Sequence, residues 1–411
     1  MKWGYKFLAI CLCFVLLFSQ TTTAATVITD GESGETAAEL MALETPLVFD
    51  EAVPVVNTSA ELAVGGKSAV LMELASGTIL YEKNAHEPLP IASVTKVMTL
   101  LLVMEALDSG KITLEDKVTC SAEAAAMGGS QIWLETGEVM TVHELVKAAA
   151  VVSANDACAA LAEHVAGTIE GFVQAMNDRA AELGMKDTQF LDCSGLNDEA
   201  HSSAHDVAVM SRELMKHRQI TQYTTIWMDS LRNGQSQLVN TNKLVRFYAG
   251  ATGLKTGTTA AAGHNLSATA ERNGMGLVAV ILGCDTTAER FGGARRMLDY
   301  GFAQYSVYTP EVDTSQLTSI PVVRGVETQA EVMCPQMQPI LIKKGSEKAI
   351  TCTVELAEDV EAPVEVGQIV GEVTVSQDGK VLATYNVVAK EAVERLGFGV
   401  VFGRLCKALC A

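Results

Sequence analysis

The chain has 411 residues, more than one typical domain, which predicts two domains with terminal extensions. Hydrophobic residues make up 48% of the sequence and charged residues 19%, which excludes wholesale disorder and a collagen-like repeat. The formal net charge of −19 would repel a phosphate backbone, so we expect no nucleic-acid partner.

The N-terminus has the parts of a secretory signal peptide. Lys2 and Lys6 flank a short polar start, an uninterrupted apolar run covers residues 7–18, and small residues follow. The apolar run is shorter than the ~18–20 residues that cross a bilayer, which favours a cleaved peptide over a permanent anchor. We therefore predict a signal peptide at residues 1–25. The acidic stretch at residues 26–51, which contains no Lys or Arg, is predicted to be a solvated leader.

The next region combines strand and helix patterns. Residues 67–73 and 78–82 alternate around the turn Ser76-Gly77, which predicts a hairpin. Later segments with helical periodicity are residues 95–107, 142–165, 172–183 and 288–304, and predicted strands are residues 265–270 and 276–282. Because strands lie at both ends of the region and helices between them, we predict an antiparallel sheet with helices packed on it. This α+β domain is expected to span residues 52–308.

The C-terminal part changes texture. Short alternating segments with turns at Lys344-Gly345 and Asp378-Gly379 predict a small all-β domain over residues 309–390. Residues 391–411 place apolar side chains beside Arg404 and Lys407, which suits an amphipathic helix lying in a membrane interface. A helix docked on the rest of the protein is the alternative.

Cysteine and histidine residues are too sparse to define a scaffold. Ten cysteines, less Cys11 and Cys13 in the predicted signal peptide, leave eight, which is too few for a disulfide-stabilised miniprotein. Buried thiols are expected at Cys158, Cys193 and Cys284, whereas Cys334 and Cys352 could pair. His201 and His205 lack the glutamate of a zinc-protease motif, and we expect no metal and no cofactor.

The first candidate for chemistry is the pair Ser93 and Lys96. Their spacing puts a hydroxyl and an amine on one face at the start of an apolar helix. An N-cap serine with a solvated lysine is the alternative. The apolar surroundings of Lys96 instead favour a lowered pKa and a neutral general base.

Two further segments carry polar groups in apolar surroundings. Ser153 and Asn155 lie two positions apart in a helical region, where they need partners, although a locally capped helix junction is the alternative. Residues 253–259 place Lys255 and Thr256 between glycines just before a predicted strand, and glycines permit close approach of a ligand. The spacing is not that of a phosphate-binding loop.

The order S-x-x-K, S-x-N and K-T-G resembles that of the penicillin-recognising serine enzymes. The chain resembles the low-molecular-weight penicillin-binding proteins, the D-alanyl-D-alanine carboxypeptidases, over nearly its whole length, including residues 129–134 and 201–204. This resemblance implies a β-lactamase/transpeptidase-like antiparallel sheet flanked by helices, followed by the small all-β domain.

The resemblance also implies roles for individual residues. Ser93 would be the acylated nucleophile, Lys96 its proton acceptor and Ser153 a hydroxyl relay to the leaving nitrogen. Backbone N–H groups of Ser93 and Thr258 would form the oxyanion hole. The residues expected to bind the substrate are Asn155, Lys255, Thr256, Gly257, Thr258 and Arg290.

The implied enzyme is a serine-type carboxypeptidase that removes the terminal D-alanine from peptidoglycan pentapeptide stems and is acylated by β-lactams. It would work outside the bacterial cytoplasm, attached to the outer face of the cytoplasmic membrane through its C-terminal tail. Ile91, Ala154 and Thr258 differ from the residues usual in the family, which leaves the substrate preference open.

Three other functions share parts of this sequence pattern. A class A β-lactamase is rejected, because residues 190–197 contain no glutamate that could activate a deacylating water. Endopeptidase action on cross-links would use the same acyl-enzyme, so it is an open alternative. A non-catalytic cell-wall-binding protein is the alternative from a different class.

Overall fold

The computed structural model describes residues 26–28 and 62–410, the former as backbone only. The predicted signal peptide and all but three residues of the predicted leader lie outside the described residues. The described strands are β1 (Thr26–Ile28), β2 (Ser68–Glu73), β3 (Ile79–Lys83), β4 (Lys117–Thr119), β5 (Val139–Thr141), β6 (Met228–Leu231), β7 (Ser236–Val239), β8 (Ala251–Thr259), β9 (Gly263–Arg272), β10 (Met275–Cys284), β11 (Tyr305–Tyr308), β12 (Ile320–Val323), β13 (Gln329–Ala330), β14 (Val332–Met333), β15 (Ile340–Lys343), β16 (Ile350–Leu356), β17 (Val360–Glu361), β18 (Ile369–Gln377) and β19 (Lys380–Ala389). The described α-helices are α1 (Lys96–Asp108), α2 (Ala122–Ala125), α3 (Val142–Val151), α4 (Asn155–Ala166), α5 (Ile169–Glu182), α6 (Ala204–Lys216), α7 (Thr221–Thr224), α8 (Leu244–Phe247), α9 (Thr287–Gln304) and α10 (Phe398–Cys410).

A five-stranded antiparallel sheet organises the first domain, in the order β3-β2-β10-β9-β8. The hairpin β2–β3 comes from the start of the domain and β8–β10 from its end. The two meet where Ser68 pairs with Leu282 and Glu73 with Leu277. The predicted sheet, built from both ends of the domain with helices between, is confirmed.

Both faces of this sheet are covered, which explains why β10 and the inner positions of β2 are apolar. On β2, Val70 and Met72 contribute to a core shared with α1 and α3–α6, while Ala69 and Leu71 face the opposite side. There α9 packs through residues such as Phe291. Each fully buried side chain of this size contributes about 1.5–3 kcal/mol.

The second domain is all-β, as predicted. One sheet has the order β14-β19-β18-β16, and a smaller one has the order β13-β12-β17. Its core is made of small aliphatic side chains, among them Val373, Val375 and Val387. The strand β11, directly after α9, pairs with β15 of this region and links the two parts of the chain.

Four of the seven cysteines whose burial the structure describes are buried. Cys158, Cys193 and Cys284 are buried thiols, as predicted, and Cys334 and Cys352 are free, so the pairing that the sequence allowed is not formed. Among the described residues, no group of three or more His, Cys, Asp or Glu side chains is arranged to hold a metal ion. No helix in this part of the chain is long and apolar enough to cross a membrane.

Candidate active site

Ser93 and Lys96 meet at the start of α1. Ser93 lies in a 3₁₀ turn, Ala92–Thr95, that leads directly into this helix, and Lys96 is the helix's first residue. The Lys96 Nζ donates hydrogen bonds to the Ser93 Oγ over 3.0 Å and to the Ser194 carbonyl oxygen over 2.7 Å. Lys96 is 0% exposed, whereas Ser93 is half-buried. The structure therefore brings the predicted hydroxyl and amine together.

The second motif lies in a break between two helices. The predicted continuous helix over residues 142–165 is wrong, because α3 ends at Val151 and α4 begins at Asn155. Ser153 has a φ of +64°, in the left-handed region that residues with a side chain rarely adopt. Such a conformation costs about 1–3 kcal/mol, and strained residues of this kind are found in clusters at functional sites.

Two polar atoms at this break are buried without protein partners. The Ser153 Oγ and the Asn155 Oδ1 make no hydrogen bond with any residue that the structure describes. The Asn155 Nδ2 donates to the Gly128 carbonyl oxygen over 2.7 Å, which orients the amide. Because a buried polar atom without a hydrogen bond costs about 1–3 kcal/mol, two such atoms side by side indicate a place where a ligand supplies the partners.

The third motif lies within β8, the edge strand of the sheet, rather than before a strand as predicted. Lys255 is 1% exposed and its Nζ donates to the Thr256 carbonyl oxygen over 2.9 Å. Gly257 packs against the turn that carries Ser93. A Cβ atom at Gly257 would lie only 2.9 Å from the Ser93 backbone nitrogen. Glycine is therefore required for β8 to pass this close to the hydroxyl.

Arg290 reaches the same strand from α9. Its Nη1 donates to the Thr258 Oγ1 over 3.0 Å and to the carbonyl oxygens of Asn265 over 3.3 Å and Gly257 over 3.4 Å. The guanidinium is buried, as is the Lys255 amine. Cationic groups held on one strand end favour an anionic part of a ligand, such as a carboxylate.

Asp192, which shapes the loop opposite Ser93, was not predicted from the sequence. The Asp192 carboxylate accepts hydrogen bonds from the backbone N–H groups of Ser194 over 2.6 Å, of Gly195, and of Asn197 over 2.6 Å. This loop supplies the Ser194 carbonyl oxygen that contacts Lys96. An aspartate shortly before a glycine is typical of a turn, but nothing local connects that turn to a lysine 98 positions away.

These elements enclose a cleft of about 720 Å³, a size that suits a small ligand. Ser93, Asn155 and Thr258 line the cleft. Lys96 and Arg290 reach it through their hydrogen bonds to Ser93 and Thr258. Ser153 directly precedes the Ala154-Asn155 segment, and Lys255, Thr256 and Gly257 directly precede Thr258. Three of the nine predicted site residues thus line one cleft, and the other six lie next to those three through contacts or along the chain.

The thiols near the cleft do not compete with the hydroxyl. Burial raises the pKa of the Cys158 thiol to about 11, against the lowering effect of the nearby Lys96 and Lys255 amines. Burial likewise raises the pKa of Cys193, and it raises the pKa of Cys284, which lines the cleft, to about 12. The thiolate is the nucleophilic form of cysteine, and these raised pKa values favour the protonated thiol at neutral pH.

A serine hydroxyl in contact with a buried lysine amine, between an S-x-N helix break and a K-T-G edge strand, defines a penicillin-recognising serine peptidase. The family described as D-alanyl-D-alanine carboxypeptidase matches residues 55–286, and the penicillin-binding protein 5 C-terminal domain matches residues 306–395. The chain belongs to the D-alanyl-D-alanine carboxypeptidase family and is a low-molecular-weight penicillin-binding protein. The predicted family and fold class are confirmed.

Named relatives and solved structures agree with this assignment. The chain is 43% identical to the D-alanyl-D-alanine carboxypeptidase DacF of Bacillus subtilis, over 83% of this chain and 89% of the relative. It is 33% identical to DacC of Escherichia coli, over 84% of this chain and 87% of the relative. Penicillin-binding protein 5 from Haemophilus influenzae has a similar structure, with a TM-score of 0.69 and 30% identity, over 81% of this chain and 98% of that one.

Proposed function

We propose that this protein is a serine carboxypeptidase that removes the terminal D-alanine from peptidoglycan stem pentapeptides, with Ser93 as its nucleophile. The observation that carries the proposal is the 3.0 Å hydrogen bond between the Lys96 Nζ and the Ser93 Oγ at the edge of the cleft. A hydroxyl becomes a strong nucleophile only when a neighbouring base takes its proton, and Lys96 is the basic group in contact with it.

In the first step, Lys96 accepts the Ser93 proton while the Ser93 Oγ attacks the carbonyl carbon of the penultimate D-alanine. The negative charge that develops on the carbonyl oxygen is stabilised by the backbone N–H groups of Ser93 and Thr258. The close approach of β8 at Gly257 supports this pair of donors, because it brings the two backbone segments together.

Collapse of the tetrahedral intermediate breaks the bond to the leaving nitrogen. The Ser153 hydroxyl donates its proton to that nitrogen and takes up the proton that Lys96 accepted from Ser93, and D-alanine leaves as the free amino acid. Water then hydrolyses the ester on Ser93 and restores the hydroxyl. The buried and unpartnered Ser153 Oγ supports this role, since a relay must be able to exchange hydrogen bonds during the reaction.

The remaining site residues hold the substrate. Asn155 binds the amide of the acyl part through its side chain, which its contact with Gly128 has already oriented. The terminal carboxylate binds near Lys255 and Thr256, and Arg290 adds positive charge from behind β8. This arrangement selects peptides with a free C-terminus over the middle of a chain.

β-Lactams acylate the same residue. Ring opening by the Ser93 Oγ would leave the drug as an ester on the enzyme. Penicillin-binding protein D2 from Listeria monocytogenes, 30% identical over 59% of this chain with a TM-score of 0.51, was solved in ampicillin-bound and cefotaxime-bound forms. Its similarity supports the same chemistry here.

The C-terminal tail, residues 391–411, attaches the enzyme to the outer face of the cytoplasmic membrane. Every side chain described from Phe398 to residue 409 is exposed, and Phe398 and Leu409 are more than four-fifths exposed. Residues 393–396 of the tail pair with the β domain through backbone hydrogen bonds, such as those between Val393 and Val364, whereas from α10 Arg404 donates to the Val326 carbonyl oxygen over 2.6 Å. Apolar side chains exposed along a helix support a membrane surface as their partner better than docking on the protein itself.

The division of the whole chain into segments is part of the same proposal. The proposed units are a signal peptide at residues 1–25, a leader at 26–51, the peptidase domain at 52–308, the β domain at 309–390 and the tail. Binding to anionic liposomes, measured by co-sedimentation with and without residues 391–411, tests the tail. Equal binding by both forms would favour the docked helix.

Release of D-alanine tests the activity. The mature protein and its Ser93→Ala variant are incubated with a soluble acyl-D-alanyl-D-alanine tripeptide, and free D-alanine is measured. We expect release by the wild type alone. Release by both proteins would exclude Ser93 as the nucleophile, whereas release by neither would favour cross-linked substrates or a binding role.

A further inference from the structure

A second pocket lies beside the active-site cleft, and no step of the proposed reaction uses it. Its volume is about 450 Å³, within the range of about 300–1,000 Å³ that is usual for small-molecule sites. The lining residues are Ile132, Trp133, Glu135, Glu138, Arg232 and Ser236. An indole ring, carboxylates and a hydroxyl thus converge on one space.

The backbone of Trp133 has an unfavourable conformation, and its indole ring remains exposed to solvent. Its φ is +53°, which is rare for a bulky residue and costs about 1–3 kcal/mol. Trp133 is 54% exposed, while its neighbours Ile132 and Leu134 are buried. An indole that remains half in water gives up about half of the stabilisation that its burial would provide. Strain of this kind is typical of binding sites.

Charged groups on both sides impose this conformation. The Asp156 carboxylate accepts backbone N–H groups of Ile132 over 3.1 Å and of Leu134 over 3.0 Å. From the other side, Arg232 donates to the Ile132 carbonyl oxygen over 2.9 Å. The segment that carries the indole is therefore anchored in two directions, and the ring is presented on a rigid support.

The pocket is close to the cleft along the chain. Ser130 lines the cleft and Trp133, three residues later, lines the pocket, a separation of at most about 10 Å of extended backbone. The Ser130 carbonyl oxygen accepts the Asn155 backbone N–H over 2.7 Å, and the next residue in α4 is Asp156. One helix end thus positions both sites, so a single ligand can occupy both.

The chemistry of the pocket favours a neutral, hydroxylated ligand. Glu138 and Arg232 pair through two contacts of 2.7 Å and 3.1 Å, so their charges compensate each other. Carboxylate oxygens of Glu135 and Glu138 and the Ser236 hydroxyl can accept hydrogen bonds from sugar hydroxyls. The flat apolar face of the Trp133 indole suits the C–H face of a pyranose ring.

We propose that this pocket binds an N-acetylated sugar of the glycan strand that carries the stem peptide. The inference rests on the proposed function, because the peptide of the same substrate occupies the cleft. Trp133 provides the stacking surface, and the pocket adds affinity for stem peptides that are still attached to the strand.

Two substrates, one without and one with the sugars, distinguish an effect on binding in this pocket from an effect on the reaction at Ser93. Values of kcat/KM are measured for the acyl-D-alanyl-D-alanine tripeptide and for an N-acetylglucosaminyl-N-acetylmuramyl pentapeptide. We expect Trp133→Ala to lower the ratio of sugar-linked to sugar-free kcat/KM about tenfold, mainly through KM, and Trp133→Phe to restore much of it. Val139→Ala, at another exposed apolar side chain nearby, is the control and should leave the ratio unchanged. An unchanged ratio in Trp133→Ala, or an equal loss on both substrates, would overturn the proposal.

Binding of the free disaccharide provides a readout without catalysis. Trp133 is one of three tryptophans in the chain, so we expect the disaccharide to change the intrinsic fluorescence of the wild type but not of Trp133→Phe. A change in fluorescence without any release of D-alanine would contradict the carboxypeptidase proposal alone. Release of D-alanine without a change in fluorescence would contradict the sugar site alone.

Discussion

The peptidase domain and the β domain bury different kinds of side chains. In the peptidase domain, β2 is buried at all six positions, whereas in the β domain β16 alternates between half-buried and exposed residues. The fully buried charged residues among those described all lie in the peptidase domain: Glu73, Lys96, Asp156, Asp206, Lys255 and Arg290. The β-domain core contains aliphatic residues such as Val373 instead.

This difference indicates which domain holds the groups for the reaction and which contributes to stability alone. Burying a charge costs free energy unless partners compensate it, so a domain that holds several buried charges retains them for a purpose other than packing. The β domain follows the simple alternation of a sheet with one face in water. We therefore expect substitutions in the first domain to change the reaction, and substitutions in the second to change only stability.

The largest effect is expected at Lys96. Replacing it with alanine removes the proposed proton acceptor of Ser93, and loss of a general base typically lowers a rate by about 10²–10⁴-fold. The rate of acylation by a fluorescent penicillin measures this step. Lys111→Ala, at an exposed lysine beyond the end of the same helix, is the matched control and should retain the wild-type rate. Comparable rates for wild type and Lys96→Ala would exclude the proposed base.

The second largest effect is expected for Gly257→Ala. The new Cβ would meet the Ile91 carbonyl oxygen at 2.6 Å, so β8 must move away from Ser93. We expect acylation to slow by at least tenfold and the free energy of unfolding to decrease by about 1–3 kcal/mol. Gly292→Ala in α9, where the nearest atom would be 3.5 Å away, tests for a general effect of the added methyl group. A Gly257→Ala enzyme with the wild-type acylation rate would show that β8 can shift freely.

Val373→Ala tests the other side of the comparison. This side chain is 0% exposed in the β-domain core, and its truncation should destabilise that domain by about 1–3 kcal/mol without changing acylation. Calorimetry and the penicillin assay measure the two quantities on the same samples. Val381→Ala, at an exposed position, should change neither. Slower acylation in Val373→Ala would mean that the domains are coupled.

The smallest effect is a pH dependence at Asp156. Burial raises its pKa, so the folded state retains the proton at pH values where the unfolded chain has released it. Its contribution to stability is therefore full below the ordinary aspartate pKa of about 3.9 and decreases as pH rises through the folded pKa. Asp156→Asn cannot titrate and loses about 0.5–1.5 kcal/mol of hydrogen bonding.

Urea unfolding of wild type and Asp156→Asn at several pH values from 4 to 7 measures the contribution of Asp156 to the free energy of unfolding. The advantage of the wild type should decrease as pH rises. An advantage that increases with pH would mean that the backbone N–H groups of Ile132 and Leu134 outweigh the cost of burying the charge.

The elements and motifs with a local signal were predictable from the sequence. The hairpin β2–β3, the helix α1 and the three motif segments all follow from periodicity or spacing, and the structure gathers the motif residues at one cleft. The helix junction at Ser153 was predicted only as an alternative, because alanine-rich helical periodicity continues through it. The positive φ of Trp133 also has no local signal, since contacts with Asp156 and Arg232, far apart in the chain, impose it.

The packing of Gly257 against the Ser93 turn has a consequence for drug resistance. In the proposed mechanism, a larger residue at this position blocks penicillin only by displacing the strand that the natural substrate also needs. Substitutions at position 257 should therefore not be selected by β-lactams, because they would also impair the natural reaction. We expect resistant variants at the cleft rim instead, at side chains such as Leu196.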